Sequence, residues 1–101
     1  MPKIFEYFGL IFLFYSNEHE PIHVHVIKNG QEIIFEINML NGVLSDLTVR
    51  RPNKMPVLDD KDIAMAEAFV RKYYRRNIVD KWVNFFVYKK KVRFTRITKK
   101  I

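Results

Sequence analysis

Hydrophobic and polar positions change their rhythm three times along the 101-residue chain. Lys3 to Phe8 is aromatic and β-branched with one internal charge, Gly9 punctuates it, and Leu10 to Tyr15 is a nearly continuous apolar run. This reads as two strands, or one strand kinked at Gly9, with the second segment buried on both faces of a sheet. Polar residues and a proline at Ser16 to Pro21 make the next stretch a loop. Ile22 to Lys28 and Gln31 to Asn38 then flank Asn29-Gly30, a pair suited to a two-residue hairpin turn in which both central residues have positive φ.

That turn sets a register. Lys28 faces Gln31, Ile27 faces Glu32, Val26 faces Ile33, His25 faces Ile34, Val24 faces Phe35 and His23 faces Glu36. Side-chain alternation then places Ile22, Val24, Val26, Ile33, Phe35 and Ile37 on a core face. His23, His25, Glu32, Ile34 and Glu36 share the other. His25, opposite Ile34, reads as a bystander. Met39 to Arg50 adds a strand after a turn at Asn41-Gly42, interrupted at Ser45-Asp46, and Arg51 to Leu58 leads out of the sheet as a basic, proline-containing linker.

The period then becomes helical. Asp59-Asp60 supplies an N-cap, and Ile63, Ala66, Phe69, Val70 and Tyr73 form an apolar stripe. Ile78, Val79, Trp82, Val83, Phe85 and Phe86 resume the pattern after Arg75-Arg76-Asn77, which predicts two helices or one bent helix, with Asn77 capping a new start. Helical spacing assigns Trp82 to the core. Val92 to Ile97 alternates apolar and basic residues, as a short edge strand or a mobile tail would. The expectation is one α+β domain over 1–101: an antiparallel sheet of four or five strands within 1–50, one or two helices within 59–88 packed on one face, and a basic tail at 89–101.

Charge sharpens this picture. Residues 1–70 hold six Lys/Arg against ten Asp/Glu, a balance of −4, whereas residues 71–101 hold twelve Lys/Arg against Asp80 alone, a balance of +11. Clustered basic charge suggests an anionic partner, either a nucleic acid contacted by Arg75, Arg76, Lys89, Lys90, Lys91 and Arg93 or an acidic protein. No motif of a base-specific nucleic-acid reader accompanies it. The chain has no apolar run of bilayer length and no cysteine, so the expectation is a cytoplasmic protein without a membrane partner.

Candidate chemistry concentrates in Asn17-Glu18-His19-Glu20-Pro21-Ile22-His23-Val24-His25-Val26, which holds all three histidines. One reading is metal-independent RNA cleavage, in which His19 and His23 exchange protons, Glu36 orients His23 and Lys or Arg meets the phosphate charge. A second is a divalent-metal site on His19, His23 and His25; otherwise no cofactor is implied. A third is structural, the polar residues satisfying backbone groups around Pro21.

Met1-Pro2-Lys3-Ile4, the segment from Phe14 to Val26 and the later Trp82 resemble the bacterial family described as domain of unknown function 4160. The resemblance implies a small prokaryotic cytoplasmic protein in a toxin–antitoxin arrangement, without implying an activity. Position by position it points to Asn17, Glu18, His19, Pro21, His23 and His25. The functional expectation is a toxin–antitoxin-like component that binds nucleic acid and cleaves RNA. The alternatives are a non-enzymatic module docking an acidic partner and a metal-binding protein; exposed sheet edges leave a dimer open.

Overall fold

The computed structural model describes residues 2–15 and 22–101. Asn17, Glu18, His19 and Pro21, and the loop expected around them, lie outside the described residues. Five strands form an antiparallel meander: β1 (Lys3–Tyr7), β2 (Leu10–Leu13), β3 (His23–Lys28), β4 (Gln31–Leu40) and β5 (Val43–Arg50). Two-residue turns at Phe8-Gly9, Asn29-Gly30 and Asn41-Gly42 join three of the pairs, and every one of these six residues has positive φ. That backbone matches the right-handed twist of the strands it joins.

The β3–β4 register is the expected one at all six positions, from His23↔Glu36 to Lys28↔Gln31. The interruption at Ser45 is a bulge: Asn38 pairs with Asp46 and Met39 with Leu44, leaving Ser45 as the extra residue.

The sheet has six strands and is mixed, where an antiparallel sheet of four or five was expected. Strand β6 (Thr95–Ile97) pairs parallel with β1, giving the order β5-β4-β3-β2-β1-β6. The alternation at Val92 to Ile97 therefore finds a partner nearly the whole chain away. Lys81 helps to hold this return. Its Nζ donates to the carbonyls of Ile4 (3.1 Å) and Arg93 (2.5 Å) and to Thr95 Oγ1 (3.4 Å), and it sits 4.0 Å from the Phe5 ring centroid. Arg96 adds an ion pair to Glu6 at 3.3 Å.

Burial, and secondarily the charge of Arg93, lowers the Lys81 pKa from its ordinary 10.5. The unfolded chain thus binds this proton more tightly, so the stability contributed by Lys81 rises with pH between its lowered value and 10.5. Lys81→Met should cost about 1–2 kcal/mol through the lost charged hydrogen bonds. The deficit should widen in thermal melts as pH climbs towards 10.5, and trypsin should cut faster at Arg93 and Arg96.

The helical region is one helix in three stretches: α1 (Asp60–Tyr73), a π-helical turn (Tyr74–Ile78) and α2 (Val79–Phe86). Asp59 caps its start, its carboxylate accepting from the Asp62 amide at 2.8 Å. Asn77 does not cap a new helix; it lies within the π stretch, through which the helix continues. Fully buried Phe69 centres the interface, its ring 4.5–5.4 Å from those of Phe12, Tyr73, Tyr7 and Phe5. Trp82 is buried in the same core. Among the described residues no helix is long and apolar enough to cross a membrane.

Candidate acid–base site

The strand order sets Leu13, His25, Ile34 and Arg50 in one row across four neighbouring strands, each opposite the next. Alternation turns this row away from the helix. Tyr15 stands two residues beyond Leu13 and Glu32 two residues before Ile34, so both lie diagonal to the row and within reach of it.

His25 and Glu32 meet there. His25 Nδ1 lies 2.7 Å from Glu32 Oε2, both side chains almost wholly buried, and the Tyr15 hydroxyl donates to the same oxygen at 3.0 Å. The Tyr15 ring stacks on the His25 imidazole with centroids 3.8 Å apart and planes 28° from parallel. An ionised carboxylate only accepts hydrogen bonds, so opposite an ionised Glu32 it is His25 Nδ1 that donates. The His23 ring stands edge-on to that of His25, centroids 5.3 Å apart.

The backbone of Glu32 is pinned as firmly as its side chain. Its amide donates to the Pro56 carbonyl at 2.8 Å, and its carbonyl accepts from the Leu58 amide at 3.1 Å. The linker after β5 is thereby drawn alongside β4, with Val57 bridged to Glu32. Together they enclose a cleft of about 510 Å³ floored by Tyr15, His25, Glu32 and Ile34 and walled by Arg50 and residues 52–55, Lys54 among them. Arg50, itself paired with Glu36, and Lys54 therefore border the same cleft as His25.

His25 stands opposite Ile34 as expected, and its imidazole also meets Glu32. The expectation considered only the directly opposite residue, Ile34, and so did not include the diagonal Glu32. Glu36 does face His23 across the ladder, and its carboxylate takes Arg50 at 2.6 Å. The set His19, His23 and His25 includes a residue outside the described ones; among the described residues no group of three His, Cys, Asp or Glu is placed to hold a metal ion.

The basic residues singled out in the sequence lie elsewhere. Arg75 reaches the Gly42 carbonyl at 3.4 Å, Arg76 is exposed on the helix, and Lys89, Lys90, Lys91 and Arg93 are exposed beyond α2. None lines the cleft. Sequence reasoning missed Tyr15, Glu32, Arg50 and Lys54 as site residues, although the face shared by Glu32 and His25 was the available signal.

A family model described as domain of unknown function (DUF4160) matches residues 9–83. The chain belongs to that family. The match takes in the histidine strand, Glu32, Arg50 and Lys54, and stops before the lysines that follow α2. No curated protein and no solved structure matches the chain.

Proposed function

We propose that this protein is a toxin–antitoxin-like component that binds RNA in the cleft and cleaves it without a metal. The observation that carries this reading is the single Glu32 oxygen shared by Tyr15 and His25, which holds the His25 imidazole in a cleft that Arg50 and Lys54 also line. In the cleavage step the His25 imidazole takes the proton of a ribose 2′-hydroxyl. The freed oxygen attacks the adjacent phosphorus, and the bond from phosphorus to the 5′ oxygen breaks. His23, whose ring adjoins that of His25, returns a proton to the leaving oxygen; His19, from the same sequence segment, is the other candidate for that role. Arg50 and Lys54 meet the charge that gathers on the phosphorane. The products are a 2′,3′-cyclic phosphate and a 5′-hydroxyl.

The test is cleavage of end-labelled RNA with and without chelator. Wild type should cut in both conditions and leave cyclic phosphate ends, and His25→Ala should slow cutting by roughly 10²–10⁴-fold. Whichever of His19→Ala and His23→Ala slows cutting most at low pH and removes the alkaline fall of the rate profile names the acid. Cleavage lost on chelation would replace the acid–base mechanism with a metal-dependent one. No cleavage in any condition would leave a non-enzymatic module for an acidic partner.

A further inference from the structure

The helix ends in an unusual way. Lys89 adopts a left-handed backbone, φ +57, at a position where glycine or asparagine would be less strained. The Lys90 amide donates back to the Asn84 carbonyl at 2.8 Å and the Tyr88 amide to Val83 at 3.2 Å. This turn brings Lys89, Lys90 and Lys91 back over Phe85 and Phe86, making a hollow of about 260 Å³ with two rings for a floor and lysine stems for walls.

The floor is braced. Phe85 and Phe86 stand edge to face at 4.7 Å, and Phe14 lies behind them at 6.4 and 5.7 Å. Downstream, the bond from Lys81 to the Arg93 carbonyl fixes where the lysine segment leaves. Among the described residues, no ion pair uses Lys89, Lys90, Lys91 or Arg93. No acidic residue follows Asp80 in the chain. One lysine would suffice to oppose the partial negative charge of a helix C-terminus; three around a concave aromatic surface exceed that need.

We infer that this hollow binds one nucleotide of single-stranded RNA, its base against Phe85 and Phe86 and its phosphates on Lys89, Lys90 and Lys91. The inference rests on the RNA reading of the cleft. Aromatic faces with interleaved cations bind single strands without choosing a sequence, which agrees with the lack of a base-reading motif. A lipid surface would call for a broad aliphatic face, and this hollow has no aliphatic side chain in its lining. Phe14 braces the hollow while the next residue, Tyr15, floors the cleft, so the two sites lie on opposite faces at the same end of β2.

The probe is fluorescein-labelled 2′-O-methyl hexauridylate, which lacks the attacking hydroxyl, followed by anisotropy across a salt series with the full chain. Lys89→Gly/Lys90→Gln/Lys91→Gln, with glycine suited to the left-handed position, should weaken binding at least tenfold and flatten the logarithmic salt slope by about 2. Phe85→Leu, which keeps the apolar bulk, should weaken binding about fivefold or more and leave the slope unchanged. Arg50→Gln/Lys54→Gln should abolish cleavage of ordinary RNA, and whatever affinity for the probe it retains should still fall when the three lysine substitutions are added.

Unchanged affinity in both hollow variants, with thermal melts showing them folded, would overturn the inference whatever the cleft does. So would lysine-dependent binding to phosphatidylglycerol vesicles or polyglutamate in place of the probe. Lysine-dependent probe binding in a protein that cuts nothing would uphold the hollow and refute the catalytic reading alone.

Discussion

Phe69→Ala should lower the melting temperature by roughly 15–30 °C, from a loss of about 3–5 kcal/mol. Phe69 is fully buried and its ring lies near four others, contributed by β1, β2 and α1 itself. Truncation removes apolar area and opens a void that rigid rings fill poorly, because each is held by its own strand or helix turn. A domain of this size has only about 5–15 kcal/mol in hand, so the variant should be close to its unfolding threshold at body temperature. Phe69→Leu should cost less than half as much. Circular dichroism melts of the two variants provide the comparison, and equal losses would show that the ring contacts add nothing beyond apolar volume.

Glu32→Gln should keep the fold and reduce RNA cleavage by roughly 10²–10⁴-fold. The amide has the carboxylate's shape and loses its charge, and in the proposed mechanism that charge would steady the imidazolium formed on His25. Glu32→Ala should add a stability loss of about 3 kcal/mol, since it takes away the buried acceptor shared by Tyr15 and His25. The contrast separates the two roles of this side chain. Single-turnover cleavage and a thermal melt on each variant read them independently. A Glu32→Gln protein that cuts as fast as wild type would confine Glu32 to a structural part.

The central hairpin was legible because its information is local. Asn29-Gly30 specifies the turn, the turn sets the register, and alternation then assigns each face, so His23, His25 and Glu32 could be put on one surface by counting. The His25 partner was not legible, because a diagonal pairing depends on where side chains lean and not on which residues stand opposite. Tyr15 was hidden for a related reason: an unbroken apolar run says that a strand is buried without saying what its aromatic ring covers. The strand count fell short where the contact is least local, β6 against β1. The break at Arg75-Arg76-Asn77 was visible as a change of pattern, but a π turn and a fresh helix start leave the same trace in hydrophobic spacing.

The pairing of Thr95–Ile97 with Phe5–Tyr7 also sets a schedule for synthesis. One edge of β1 is covered by residues 95–97, which leave the ribosome long after it. Until they emerge that edge is open to any extended chain nearby, on a strand whose other neighbour is the aggregation-prone run Ile11 to Tyr15. A nascent chain stalled before Arg93 would have its meander and most of its helix and yet remain adhesive. Strand β6 therefore acts as a closing seam, and its loss should harm solubility more than its size suggests.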